Sequence, residues 1–180
     1  MLTLESEMTL DGLTGREVTD FMTDCDDERY QSWWPGTHRQ FHVLDHAAGE
    51  DHVGDLVWMD EYVGSRRLRM AAEVIEATPG RRLVWQLRPW RLRVPVFLTL
   101  TLRDLGGGVV LRHTLTAGWT GWRRRLDPLW RLYFTRGFAR ALDQHARTEF
   151  PLLRDLLRSG SRARPPQPAT DAGPDDEAAP

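Results

Sequence analysis

The sequence predicts an α+β domain in which an antiparallel sheet of about six or seven strands lies against one long C-terminal helix. Three observations support this fold class. Apolar side chains recur at helical spacing over residues 126–157, which is about eight turns of helix. Segments that alternate apolar and polar residues fill residues 38–118 and are separated by turn residues. Another alternating segment lies near the N-terminus, and two short helical patterns follow it.

The N-terminal residues predict one strand and two short helices. Residues 2–10 alternate apolar and polar side chains, and only Ser6 interrupts the apolar face. Thr14 and Glu17 have the spacing of a capping box, so a short helix is expected to begin there. Asp26 is the expected N-cap of a second short helix. Aromatic residues share one face of that helix: Tyr30, Trp33 and Trp34.

The middle of the chain predicts antiparallel strands that sequential hairpins connect. Gly64-Ser65 has the form of a two-residue hairpin turn, and three glycines, Gly106 to Gly108, mark another turn. The predicted strands cover residues 41–44, 55–63, 66–76, 83–87, 96–102 and 111–117.

The two hairpins also predict which side chains face the interior, because a shift of one residue would bring polar groups into the core. In the glycine-rich hairpin, the register that keeps polar groups out of the core sets Leu102 opposite Leu111. His113 then faces the interior beside Leu100. In the Gly64-Ser65 hairpin, the same reasoning places one carboxylate inward together with apolar residues: Glu61 with Val57, Met59, Met70 and Ala72.

The predicted C-terminal helix is amphipathic. Its apolar stripe contains Leu126, Trp130, Tyr133, Phe134, Phe138, Ala141, His145, Leu152 and Leu156. Pro151 lacks a backbone donor and is expected to kink the helix. From Ser159 onward, proline and small residues without aromatics predict a disordered tail. We therefore expect a domain at residues 1–158 and a tail at residues 159–180.

Charge and cysteine content narrow the functional classes. The formal net charge is −2, which gives no reason to expect nucleic-acid binding. Cys25 is the only cysteine, so no disulfide can form within the chain, as is usual in the cytoplasm. The sequence has no signal-peptide pattern and no run approaching the roughly 20 apolar residues that span a bilayer. We expect a cytoplasmic protein, and its oligomeric state stays open.

Several features together resemble the SRPBCC superfamily. They are the Trp33-Trp34-Pro35-Gly36 segment after the second short helix, the Thr78-Pro79-Gly80 turn within residues 74–83, the glycine-rich turn before Val110, and the long last helix. This superfamily includes START-type lipid-transfer domains, the birch-pollen-allergen type and aromatic polyketide cyclases. The resemblance covers about residues 1–158. It implies a helix-grip fold, in which a curved sheet wraps around the long helix and leaves a cavity for a hydrophobic ligand. No catalytic motif is common to the whole group, so activity does not follow from the resemblance.

Polar residues on the predicted interior are candidates for ligand contact or catalysis. His145 lies in the middle of the apolar stripe, and Glu149, one helical turn later, can orient its imidazole. His113 is the polar member of a set of inward leucines, and a buried imidazole without a partner costs about 1–3 kcal/mol. Glu61, His113 and His145 are therefore candidate acid–base residues. The alternative is that both histidines are hydrogen-bonded members of the core.

We derive one leading hypothesis and two alternatives from these residues. The leading hypothesis is a protein that binds a small hydrophobic or aromatic molecule through Met59, Met70, Trp85, Leu98, Leu100, His113, Leu115, Trp130, Phe134, Phe138 and His145. The first alternative is an aromatic polyketide cyclase or dehydratase that uses the acid–base residues. The second is a lipid-transfer protein whose Trp119, Trp122 and Arg123 to Arg125 contact a membrane, although a loop at the cavity rim accounts for the same residues.

No cofactor and no metal ion are expected. Phosphate-binding loops and dinucleotide fingerprints are absent from the sequence, since the three glycines close a hairpin and do not begin a helix. A histidine-rich segment raises the question of zinc: His38, His42, His46 and His52. On a strand, His38 and His42 would be about 13 Å apart at ~3.3 Å per residue, which is too far to share one ion.

Overall fold

The protein is an antiparallel sheet with one long helix against it. The computed structural model describes residues 1–49, 51–89 and 92–162. The strands of the described chain are β1 (Leu2–Asp11), β2 (His38–Asp45), β3 (Leu56–Val63), β4 (Arg66–Thr78), β5 (Arg82–Arg88), β6 (Val96–Leu105) and β7 (Gly108–Ala117). They form one sheet in the order β1-β7-β6-β5-β4-β3-β2. The helices are α1 (Gly15–Thr23), α2 (Asp27–Trp33), α3 (Trp130–Tyr133) and α4 (Arg136–Arg162), and a 3-10 helix covers Gly121–Leu129.

Both short helices begin where their capping residues predict. The Thr14 hydroxyl oxygen accepts from the Glu17 amide at 3.2 Å, and the Glu17 carboxylate accepts from the Thr14 amide at 2.7 Å. The Asp26 carboxylate accepts from the Arg29 amide at 2.8 Å. These bonds satisfy amide groups that the first turn of a helix leaves free.

The sheet curves around α4. This helix contacts β1 at one edge of the sheet and β3 near the other edge. At ~4.8 Å between neighbouring strands, β1 and β3 would lie about 24 Å apart in a flat sheet, whereas a helix is only about 10–12 Å wide. The sheet must therefore bend towards the helix, and register shifts in β2 and β4 are of the kind that bend strands. The predicted helix-grip architecture is confirmed.

The predicted register is confirmed in both hairpins. Leu102 pairs with Leu111 and Leu100 pairs with His113 across β6 and β7. Met59 pairs with Met70 across β3 and β4, and Glu61 pairs with Leu68.

The prediction of one continuous helix from residue 126 is wrong. Residues 121–133 form the 3-10 helix and α3, and α4 begins only at Arg136. Pro128 has no amide hydrogen to donate, and the Asp127 carboxylate accepts from the Trp119 amide at 2.8 Å. The chain then leaves helical geometry at Phe134, and the Thr135 hydroxyl accepts from the Phe138 amide at 3.2 Å. The apolar residues at this end are consequently exposed: Leu126, Leu129, Leu132 and Tyr133.

The C-terminal part of α4 continues through Pro151 to Arg162. Residues 163–180, which contain most of the predicted tail, lie outside the described residues. Among the helices that the structure describes, none is both long and apolar enough to cross a membrane.

Candidate functional site

A cavity of about 70 Å³, called here the central cavity, lies between the sheet and α4. Most of its wall is apolar, because the inward faces of the central strands carry aliphatic and aromatic residues. The wall contains the predicted residues Met59, Met70, Trp85, Leu98, Leu100, His113, Leu115, Phe138 and His145, together with Glu61. The structure thus brings these residues together around one space, and their role in ligand binding stays a prediction.

Two of the predicted wall residues, Trp130 and Phe134, do not line the central cavity. They pack with Phe138 and Leu142 in a second apolar cluster around the N-terminal part of α4. Trp130 also stacks on Trp119, with ring centres 4.9 Å apart. The cause is the break before α4, which turns these side chains away from the continuous stripe that the sequence predicted.

Four ionisable side chains meet beside the central cavity, and we call them the polar cluster: His38, Glu61, His145 and Glu149. Three of them, Glu61, His145 and Glu149, line the cavity itself. One nitrogen or oxygen atom from each of the four lies within 4.8 Å of the others. Nε2 of His38 is 3.3 Å from Glu149 Oε1 and 3.9 Å from Glu61 Oε2. Nε2 of His145 is 3.7 Å from Glu61 Oε2 and 3.6 Å from Glu149 Oε2.

His38 belongs to the polar cluster although the sequence pattern did not predict it there. Simple alternation from Phe41 would place Arg39 inward and His38 outward. A register shift between His38 and Gln40 leaves Arg39 as an extra residue, so that His38 pairs with Glu61 and shares its face. The alternation of residues 41–44 carries no sign of this bulge.

Tyr30 and Trp33 of α2 hold the polar cluster in position. The Tyr30 hydroxyl donates to Glu61 Oε2 at 2.5 Å, and the Tyr30 ring stacks on the imidazole of His38 at 3.9 Å. His38 Nδ1 bonds to the backbone carbonyl of Tyr30 at 3.2 Å. Trp33 Nε1 donates to the backbone carbonyl of Glu149 at 2.7 Å, which ties α2 to α4 at the site.

Burial shifts the ionisation of this cluster. It raises the pKa of the Glu149 carboxyl to about 7, and it also raises the pKa of Glu61, where the neighbouring Glu149 charge adds to the effect. It lowers the pKa of the His38 imidazole to about 4, so that His38 is neutral at pH 7. Burial and the Glu61 charge keep the pKa of the Tyr30 hydroxyl well above its usual value. Tyr30 is therefore a hydrogen-bond donor at neutral pH.

His113 lies on β7, elsewhere on the wall of the central cavity. It is buried, it pairs with Ser6 of β1 and Leu100 of β6, and its ring centre is 6.0 Å from that of Phe150. Burial lowers the pKa of the imidazole to about 4, and the nearby His145 acts in the same direction. Of the predicted acid–base residues, Glu61 and His145 belong to the polar cluster, and His113 does not.

The other histidines of the histidine-rich segment pair with carboxylates outside the polar cluster. His42 Nδ1 is 2.8 Å from Asp27. His46 and His52 are 3.6 Å and 3.2 Å from the same oxygen of Asp55. Among the described residues, His38 is the one member of this segment that belongs to the polar cluster.

The predicted membrane-contact residues lie in and beside the 3-10 helix. Trp122 is 77% exposed, whereas Trp119 is partly covered by Trp130. Arg123 to Arg125 are exposed beside Trp122.

Comparisons with known proteins match the fold and not the sequence. No protein-family model matches the chain, and no curated protein matches its sequence. A protein from Thermus thermophilus, TTHA0849, aligns with a TM-score of 0.60 at 12% identity, over 89% of this chain and 99% of that one. A protein from Rhodobacter sphaeroides aligns with a TM-score of 0.57 at 18% identity, over 87% of this chain and 92% of that one. A protein from Cytophaga hutchinsonii aligns with a TM-score of 0.55 at 12% identity, over 91% and 98%. These similarities show the fold alone, which is the helix-grip fold that the resemblance implied.

Proposed function

We propose that the protein binds a small hydrophobic molecule in the central cavity, with the polar end of the ligand towards the polar cluster. The observation that carries this proposal is a largely apolar cavity whose wall includes three members of the polar cluster, Glu61, His145 and Glu149. Binding sites for small molecules commonly combine apolar walls with a few polar groups that orient the ligand. We also propose a cytoplasmic location, which the single, buried cysteine supports.

The size of the cavity limits the ligand. A cavity of about 150 Å³ is enough for benzene, and pockets for larger ligands measure about 300–1,000 Å³. The central cavity, at about 70 Å³, is smaller than either. An aromatic ligand therefore needs side chains to move, and Met59 and Met70 on the wall have the unbranched, flexible side chains that allow it.

Binding of the neutral fluorescent probe N-phenyl-1-naphthylamine tests this proposal. Met70→Ala removes three heavy atoms from the wall and roughly doubles the space, so we expect the probe to bind about tenfold more tightly. Leu98→Trp fills the cavity, so we expect at least about tenfold weaker binding. Probe fluorescence during titration measures both effects.

Leu105→Trp is the matched control, because Leu105 lies exposed at the end of β6 and away from the cavity. It should leave probe affinity unchanged within about twofold. The proposal fails if all three variants bind the probe like the wild type, or if Leu105→Trp weakens binding as much as Leu98→Trp does. Circular dichroism of each variant establishes that it is folded.

A second candidate function is acid–base catalysis of the kind that polyketide cyclases and dehydratases perform. It is favoured by Glu61, which lies 3.7 Å from His145 within the apolar wall. In such a reaction the carboxylate would remove a proton next to a ketone, and an imidazole would protonate the enolate oxygen.

Exchange of the α-protons of 2-tetralone in deuterated buffer, followed by NMR, tests this step. Glu61→Gln should abolish any acceleration and keep probe affinity within about tenfold. If the wild-type protein does not accelerate the exchange above the buffer rate, the enzymatic candidate is rejected.

Lipid transfer is a third candidate, favoured by the exposed Trp122 and Leu132 next to Arg123 to Arg125. Such a surface suits an anionic membrane. Sedimentation with vesicles of phosphatidylserine and phosphatidylcholine tests it. Trp122→Ala should reduce binding severalfold if the surface contacts the membrane, and no sedimentation of the wild type would exclude this candidate.

A further inference from the structure

Two nitrogen atoms in the polar cluster have no hydrogen-bond partner. They are Nε2 of His38 and Nε2 of His145, and their side chains are only 0% and 5% exposed. A buried polar atom that bonds to nothing costs about 1–3 kcal/mol. Two such atoms facing the same pair of carboxylates indicate that the cluster is built to bind something.

The hydrogen bond at the other side of the His38 ring shows what that ligand must be. His38 Nδ1 lies 3.2 Å from the backbone carbonyl oxygen of Tyr30, which can only accept. The ring hydrogen is therefore assigned to Nδ1, and Nε2 carries a lone pair. That lone pair faces Glu149 Oε1 at 3.3 Å. Two acceptor atoms that face each other need a proton or a cation between them.

The distances favour a cation. Hydrogen bonds from nitrogen to oxygen are about 2.7–3.2 Å long. The four nitrogen–oxygen separations in the cluster are 3.3, 3.6, 3.7 and 3.9 Å. Ligand atoms held at about 2.0–2.1 Å from a tetrahedral ion lie about 3.3–3.4 Å from one another. All four separations exceed hydrogen-bond length, and the 3.3 Å separation equals the spacing of tetrahedral ligands. One atom from each residue lies within 4.8 Å of the others, so small side-chain rotations that draw the ligands together complete the site.

We propose that His38, Glu61, His145 and Glu149 bind one divalent transition-metal ion, with Zn²⁺ as the best match. Imidazole and carboxylate together suit Zn²⁺, whereas Mg²⁺ and Ca²⁺ prefer sites made of oxygen ligands alone. When both carboxyls are ionised, a divalent ion balances their two negative charges in this buried place.

Tyr30 supplies the outer contacts that a metal site needs. Histidines that bind metals usually donate their other ring hydrogen to a carbonyl or carboxylate, as His38 does to the Tyr30 carbonyl. The Tyr30 hydroxyl in turn orients the Glu61 carboxylate. Both ligands are therefore held in place by one residue of α2.

This inference replaces the expectation that the protein binds no metal. That expectation considered only the spacing within the segment from His38 to His52. The proposed ligands come from β2, β3 and α4, and only His145 and Glu149 are neighbours in sequence. Metal binding needs no hydrophobic ligand, so the inference goes beyond the proposed function and can fail or succeed independently of it.

Titration of the full, chelator-treated protein with Co²⁺ and then Zn²⁺ tests the proposal. We expect one equivalent of Co²⁺ to bind with the strong visible absorption of a tetrahedral site, and Zn²⁺ to displace it. Loss of an outer contact already weakens metal binding about 10–100-fold, so His38→Gln and Glu149→Gln should each weaken it by at least about 100-fold. Affinity for N-phenyl-1-naphthylamine is measured in the same metal-free sample, which separates a failure of this inference from a failure of the proposed function.

His42→Gln and His52→Gln are the matched controls, because both histidines pair with carboxylates outside the polar cluster. Each should bind one equivalent of Co²⁺ as the wild type does. X-ray absorption of the wild-type zinc complex provides a measurement that needs no variant, and we expect only nitrogen and oxygen ligands, including imidazoles, at about 2.0 Å. The proposal is overturned if the wild type binds no Co²⁺, if His38→Gln and Glu149→Gln bind it normally, or if only His52→Gln loses it.

Discussion

The stability of the protein should depend on pH through His113. Burial lowers the pKa of this imidazole to about 4, whereas an unfolded histidine has its ordinary value of 6.5. Between these values the unfolded chain binds a proton that the folded protein does not. The neutral imidazole therefore contributes fully to the free energy of unfolding above pH 6.5. This contribution is lost as the pH falls towards 4. From about pH 7.5 to about pH 5, this linkage costs about 2 kcal/mol of unfolding free energy.

The variant His113→Leu isolates this effect, because leucine fits among the leucines of the same wall and does not titrate. Urea unfolding followed by tryptophan fluorescence gives the free energy of unfolding of both proteins at several pH values. The difference between wild type and variant should shift by about 2 kcal/mol in favour of the variant from about pH 7.5 to about pH 5. Taking the difference cancels the titration of the polar cluster, which both proteins share. Curves that stay parallel within about 0.5 kcal/mol would show that His113 is not buried as described.

Three further changes test the contacts that build the site. Ser6→Ala removes the 2.6 Å hydrogen bond from the Ser6 hydroxyl to Asp143. It should lower the free energy of unfolding, measured in urea, by about 1 kcal/mol. An unchanged free energy of unfolding would mean that this bond does not hold β1 to α4. Met59→Ala leaves a larger cavity and should cost about 2–5 kcal/mol in the same assay, and a cost below about 1 kcal/mol would show that the wall collapses around it. Thr14→Ala breaks the capping box and should cost about 1 kcal/mol, whereas an unchanged stability would show that α1 does not depend on its cap.

The sequence was sufficient for the parts of the fold that local rules determine. Glycine turns determined the hairpin register, and this register placed His113 and Glu61 inward as predicted. Ser6, the one polar residue on the inner face of β1, was visible as an interruption. The structure explains it, because Ser6 donates to Asp143 of α4.

The errors came from places where non-local contacts override the pattern. The apolar spacing at residues 126–134 is helical, but Asp127 accepts hydrogen bonds from Trp119 and from the N-terminal amino group, and the chain breaks at Phe134. Trp130 and Phe134 therefore leave the cavity wall. His38 joins the polar cluster only because β2 has a bulge, and a bulge depends on the pairing with β3. Neither feature can be read from residue types in one segment.

The location of a bound hydrophobic molecule is the most direct test of a ligand site between the sheet and α4. An isotope-filtered NOE spectrum of the complex with N-phenyl-1-naphthylamine reports which methyl groups lie next to the probe. We expect contacts to the methyl groups of Met59, Leu98 and Leu115, which surround the central cavity. Contacts only to exposed residues such as Leu132 would contradict the account, because they would place the ligand on the surface and leave the cavity empty.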